Sequence, residues 1–445
     1  MLNLLRNWRK GFAHGPYPPE HKELTADKPI VRLPFPEVIY VPLAQHAGVP
    51  AVPVVNPGQE VVRGEPIAKA GGHVSVPMHA PATGRVREIM EVPSPRGHLV
   101  PSIVIDVYPS SGQAVLYGAA RDVDRMTPEE LIAAVKEAGV VGPGGTAFPT
   151  HVDLQGTEGK VVNTIVVNGC ESEPFLTTDH RLLIEQSDAI LQGLAIVRKA
   201  MAVDRAVIAI EARKPDVARA LQSAIKDESG IEVRAVEGGY PQGADKILIH
   251  SLLDRAVPTG GVPADVGVAV FSVATLAQIG ELLPKHQGMI ERVITVTGEG
   301  IEKPGNYLVP LGTPLRHVLS SAGLKSGTVR VVFGGPMTGS GIVSWDTPVT
   351  KGLSGILVLP CDEAVAEVRP CIRCGACLEA CPIHLNPCLL GQLSRVRDYD
   401  RMADQFHLMD CFECGCCTYV CPANIPLVQD FRISKQIVRE RKALS

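Results

Sequence analysis

Aromatic residues make up only 4% of this 445-residue chain, and no run of about 18 apolar residues occurs in it. The second absence excludes a transmembrane helix by hydropathy. The first, set beside 43 glycines and 37 prolines, argues for short strands and tight turns rather than a long helical bundle. A basic excess is also missing. The formal charge is −4 with both signs interspersed, which excludes the cationic field of a nucleic-acid binder. The opening MLNLLRNWRKGF has neither an apolar signal core nor a small-residue cleavage site, so a cytoplasmic protein is expected. Before residue 360 there is a single cysteine, Cys170. Dispersed disulfides of the secreted kind are therefore excluded.

What is present is a dense cysteine cluster. Eleven of the twelve cysteines lie beyond residue 360. They contain a duplicated pattern, Cys371-x2-Cys374-x2-Cys377-x3-Cys381-Pro382 and Cys411-x2-Cys414-x2-Cys417-x3-Cys421-Pro422. This is the spacing of two-cluster ferredoxins, in which three thiolates wrap one cubane and the fourth reaches the other. The expected ligand sets are Cys371, Cys374, Cys377 and Cys421 for cluster one. For cluster two they are Cys411, Cys414, Cys417 and Cys381. Structural zinc would want separated C-x2-C knuckles instead. Cys361, Cys388 and Cys416 fall outside the pattern and read as ordinary small residues. The stretch between the motifs, LLGQLSRVRDYDRMADQF, is helix-compatible, so residues 361–445 read as a helical ferredoxin domain with two [4Fe–4S] clusters.

The rest of the chain divides by pattern. Residues 1–28 form an arm whose Leu2, Leu4, Leu5 and Trp8 interleave with Arg6, Arg9 and Lys10. Residues 29–110 alternate β-rich runs with turn signals such as Asn56-Pro57-Gly58. They resemble the biotinyl/lipoyl carrier fold, a barrel-sandwich module. Gly72–Pro77 has no lysine at the hairpin tip, so a structural role is expected. Residues 111–290 alternate helix and strand signals, with Thr127-Pro128-Glu129-Glu130 opening one helix and another expected from Asp179 to Met201. A parallel, Rossmann-like α/β domain follows. Residues 291–350 read as a β-grasp domain. The fold class is thus multidomain, α/β and α+β.

Clusters take single electrons, so a nicotinamide donor requires a device that splits the pair, usually a flavin. Three segments qualify as parts of a flavin site: the glycine loop Gly142-Pro143-Gly144-Gly145, the strand-end segment Asn168 to Pro174, and the helix start Ser272–Thr275.

Together, GPGGTAFPT (142–150), VNGCESEP (167–174), YPQGADK (240–246) and SVATLA (272–277) resemble the NADH- and FMN-binding subunit of respiratory complex I. Adding ITVTG (294–298), PGNYLVPLGTP (304–314), FGGPMTG (333–339) and the cysteine repeat, nearly the whole chain resembles the RnfC family of the Rnf electron-transport complex. The resemblance implies non-covalent FMN beside Gly142, Gly144, Gly145, Asn168, Cys170, Glu171, Ser172, Glu173, Tyr240, Gly243, Ser272 and Thr275. It implies that Phe148 stacks on the nicotinamide side, and that Glu171 and Glu173 bond ribose or ring atoms as catalytic groups. It further implies an NADH:ferredoxin oxidoreductase of the translocase class, with NAD(H) as substrate. The implied setting is peripheral, on the cytoplasmic face of the cell membrane. The implied partners are integral membrane subunits, an iron–sulfur subunit and, indirectly, ferredoxin, with no nucleic acid. The chain departs from the family pattern at Asp153 (for Lys), Ala244-Asp245 (for Gly-Glu) and Ser272 (for Asn). Two other readings stand at this point: a cobalamin reductase of propanediol metabolism, and a non-catalytic relay or scaffold with a degenerate flavin site.

Overall fold

A computed structural model describes residues 14–157, 159–225, 230–327, 329–361 and 367–444. Leu2 to Lys10 of the expected arm lie outside the described residues. The described part of the arm is laid along the flavin-type domain. Tyr240 N donates to Pro16 O at 3.1 Å, Phe175 N to Glu20 O at 2.7 Å, and Asn306 Nδ2 to Thr25 O at 2.9 Å.

The barrel-sandwich module is two small sheets. One runs in the order Val38–Pro42, Leu99–Val107, Gly84–Pro93, Glu60–Val61, and the other Val52–Pro53, Pro66–Lys69, Met78–His79. Alternation puts Ile39, Val41, Val86, Ile103 and Ile105 on the inner face, where they share a core with Ile67 and Met78.

The next domain is built on a parallel sheet ordered Ile231–Val236, Ala206–Glu211, Thr164–Gly169, Val268–Ser272. Helices cover both faces, so its inner strands are nearly continuous apolar runs, and Ala206–Glu211 is buried throughout. Strand order reverses between Thr164–Gly169 and Val268–Ser272. In open α/β sheets this reversal leaves a crevice at the carboxyl ends. Helix Pro128–Ala138 starts on a capping box formed by Thr127 and Glu130 and ends at left-handed Gly139. The expected single helix from Asp179 to Met201 is broken at Gln186 into Thr178–Glu185 and Ser187–Met201. Helix Ser187–Met201 crosses Val273–Leu282 at backbone contact. A Cβ on Gly193 would meet Leu276 O at 2.0 Å, and one on Gly280 would meet Ala189 O at 1.9 Å. That close crossing fixes the start of Val273–Leu282 at the crevice.

The β-grasp domain is a six-stranded sheet. It recruits two segments from outside 291–350. Ile30–Arg32 adds at one edge, parallel to Gly305–Pro310, and Gly355–Pro360 lies between Glu291–Thr297 and Val329–Phe333. Five helices form the C-terminal domain around Leu390, Met402, Leu408 and Phe431. Among the described residues no helix is long and apolar enough to cross a membrane.

Candidate iron–sulfur and flavin sites

The two cysteine motifs fold as near copies. Each loop carries a non-glycine residue at positive φ (Arg373 at 55°, Glu413 at 62°) and then a left-handed glycine (Gly375 at 84°, Gly415 at 81°). Glycine suits the second position because a Cβ is costly there. Each loop leads into a single helical turn, Ala376–Glu379 or Cys416–Tyr419. Cys371, Cys374, Cys377 and Cys421 line one cavity, and Cys381, Cys411, Cys414 and Cys417 line another. Each cavity thus draws three thiols from one motif and one from the other. Backbone amides supply N–H···S contacts, from Arg373 N to Cys371 Sγ at 3.4 Å and from Leu385 N to Cys381 Sγ at 3.3 Å. Burial pushes the thiols of Cys377 and Cys411 up to about 11, so iron must displace their protons to bind. Four converging thiols per cavity fit a cubane. Two thiols read from sequence as bystanders also line these cavities: Cys388 the first and Cys416 the second.

At the flavin crevice, Asn168 ends its strand and donates through Nδ2 to Gly243 O at 2.8 Å, while its Oδ1 accepts from Cys170 N at 3.1 Å. Ser172 Oγ accepts from Gly243 N at 3.1 Å. A Cβ on Gly243 would meet Cys170 O at 2.2 Å, which is why the YPQG turn requires glycine. Ser272 caps its helix, accepting from Thr275 N at 3.1 Å, with the Thr275 hydroxyl 2.9 Å away. The glycine loop is closed by Gly142 N donating to Phe148 O at 2.9 Å, and nothing lies within 4 Å of a Cβ built on Gly144 or Gly145. Open glycine backbone, a helix N-terminus and an amide-rich strand end fit a flavin mononucleotide. The recess also holds Asp153 and Asp245, which reach solvent. Desolvation and then the charge of Asp245 push Asp153 up to about 7, and desolvation pushes Asp245 up to about 6. Near neutral pH, this acidic pair opposes an anionic group that approaches it.

The two glutamates expected to act together face different spaces. Glu173, the Gly144-Gly145 loop, Arg96, His98 and the Gly334-Gly335 turn line a cavity of about 260 Å³. Its Oε1 accepts from Met337 N at 2.8 Å and Thr338 N at 3.0 Å. Glu171 lines a different cavity, of about 630 Å³, with Tyr17, Glu211, Tyr240 and Gln242. Its carboxylate accepts from Asp179 N at 2.9 Å and lies 3.9 Å from Lys22 Nζ and 3.8 Å from Lys214 Nζ. Burial raises the Cys170 thiol, leaving it an inert core residue. Tyr240 is buried and its hydroxyl donates to Cys414 O at 2.7 Å, joining the flavin domain to the second cysteine loop. Met337 O lies 2.5 Å from a Cβ built on Gly415, so the GGPM turn packs on the same loop. Sequence reasoning missed Lys22, Arg96 and the inward position of Cys388. The first two lie on segments without motif character. The third was visible only as a residue outside a pattern.

Four family models match in order. They are the barrel-sandwich hybrid domain of RnfC over 10–108, the Nuo51 FMN-binding domain over 135–281, the SLBB domain over 293–340 and the 4Fe-4S dicluster domain over 367–425. Among curated relatives, the RnfC-type subunit of the proton-translocating ferredoxin:NAD(+) oxidoreductase complex of Clostridium ljungdahlii is 39% identical over 96% of this chain and 93% of its own. Its counterpart in the Na(+)-translocating complex of Acetobacterium woodii is 39% identical over 97% and 98%. The counterpart in the ion-translocating oxidoreductase complex of Rhodobacter capsulatus is 36% identical over 96% and 83%. The N-terminal match removes the cobalamin reductase reading. With an FMN-binding domain, a dicluster domain and full-length likeness, the chain belongs to the RnfC family of the Rnf ion-translocating ferredoxin:NAD(+) oxidoreductase complexes.

Proposed function

We propose that this chain is the NAD(H)-reactive subunit of its complex, docked peripherally on the cytoplasmic face of the cell membrane against integral membrane subunits and an iron–sulfur subunit. Bound FMN supplies the exchange between hydride and single electrons. The glycine loop, Asn168, Ser172, Gly243, Ser272 and Thr275 hold it. Glu173, Phe148 and the glycine loop orient the nicotinamide. Cys381, Cys411, Cys414 and Cys417 hold the inner cluster, and Cys371, Cys374, Cys377 and Cys421 the outer one.

The observation that carries this reading is the Tyr240 hydroxyl on the Cys414 carbonyl. That bond, with the Met337–Gly415 contact, brings the second cysteine loop against the flavin domain. Electrons then leave the flavin for the inner cluster and pass from it to the outer one. Iron and flavin quantification on the purified chain, followed by NADH titration under EPR, tests it. The expected result is one FMN, about eight irons and paramagnetic signals on NADH addition. The acidic pair Asp153/Asp245 favours the second reading, a relay subunit with a weakened flavin site. Full iron with no FMN and no NADH:ferricyanide activity would establish that reading instead.

A further inference from the structure

Cavity one is lined by five thiols, not four. Cys388 lines it beside Cys371, Cys374, Cys377 and Cys421. Its Sγ is 3.9 Å from Cys371 Sγ. Two sulfurs on one tetrahedral metal with bonds of ~2.3 Å are about 3.8 Å apart, so the pair already has the spacing of co-ligands.

The fold does not need a thiol there. The two motifs repeat beyond their final cysteines, and Cys388 lies seven residues past Cys381 as Val428 lies seven past Cys421. Val428 occupies the matching place in cavity two. One half of the repeat therefore carries a valine where the other carries a sulfur. The two thiols also differ in their backbone support. Cys371 sits on an exposed loop outside any helix or strand. Cys388 is half-buried in the first turn of Pro387–Arg395, a helix capped by Asn386, and Gln392 Nε2 donates to its sulfur at 3.6 Å. A helix N-terminus favours the thiolate over the thiol.

We infer that Cys388 is a reserve ligand of cluster one, able to replace Cys371 as the fourth thiolate. In the exchange one Fe–S bond to Cys371 breaks and one to Cys388 forms. The Cys388 thiol proton passes to the released Cys371 sulfur, and no electron is gained or lost. In the absence of Cys371, iron binding releases the Cys388 proton to solvent. The inference rests on the cluster assignment above.

The test is iron content and reduced-state EPR of the full reconstituted chain as wild type, Cys371→Ala, Cys388→Val and the double variant. Valine copies the repeat's own solution and keeps the fold. We expect about eight irons in wild type and in each single variant, and about four in the double. Cluster-one g-values should shift in Cys371→Ala only. If wild type holds about eight irons and Cys371→Ala falls to the level of the double variant, Cys388 is no ligand. If wild type itself holds far fewer than eight, the cluster assignment fails and the inference with it.

Discussion

Lys351 is fully buried where three domains meet. Its Nζ donates to Gly139 O at 2.7 Å in the flavin domain and to Pro77 O at 3.0 Å in the barrel-sandwich module. Its own amide donates to Gln45 Oε1 at 2.9 Å. Burial lowers its pKa to about 7. The unfolded chain holds the proton up to the ordinary value of 10.5, so between the two values the unfolded state binds more protons and stability rises with pH. The slope in that window approaches ~1.4 kcal/mol per unit. Lys351→Met abolishes the slope and leaves two buried carbonyls without a donor, at roughly 1–3 kcal/mol each. The variant is therefore expected to be less stable than wild type at pH 9 by several kcal/mol. The gap should narrow by about 2–3 kcal/mol on going to pH 7, as the wild-type amine takes up its proton. Urea unfolding of both proteins at pH 7, 8 and 9, followed through the earliest transition, measures this. Other titrating groups are common to both, so parallel curves at every pH would refute the reasoning.

Two further expectations concern the electron path. Tyr240→Phe removes the donor to Cys414 O and leaves that carbonyl unpaired, at about 1–3 kcal/mol of docking energy. NADH reduction of the clusters in stopped flow should slow several-fold at near-normal iron content, and wild-type rates would dismiss the contact as incidental. Asp153 and Asp245 ionise between about 6 and 7, so FMN affinity should fall as pH rises from 6 to 8. Asp153→Lys should remove most of that dependence and tighten FMN at least tenfold, about 1.4 kcal/mol, by fluorescence titration at pH 8.

Motif spacing carried the ligand pairing because a cubane imposes its own geometry on four thiols. Domain order was legible for a similar reason, since strand alternation and turn residues act locally. The separation of Glu171 from Glu173 was not legible. It arises from the arm's Lys22 and from Lys214, which draw Glu171 away while the GGPM turn holds Glu173. Such long-range pairing leaves no periodic trace. The break at Gln186 was missed because the apolar pattern runs through it without glycine or proline. The recruitment of Ile30–Arg32 and Gly355–Pro360 into the β-grasp sheet is a topological choice that short apolar runs do not reveal.

The two sulfur baskets differ in shelter. Cys371 and Cys374 are open to solvent, whereas Cys381, Cys414 and Cys417 are each less than a tenth exposed. Oxygen or peroxide therefore meets the distal basket first, and damage to the conductor advances from its terminus inward. The electron-entry end, clasped by a tyrosine and a methionine-bearing turn, outlasts the exit that faces the next carrier.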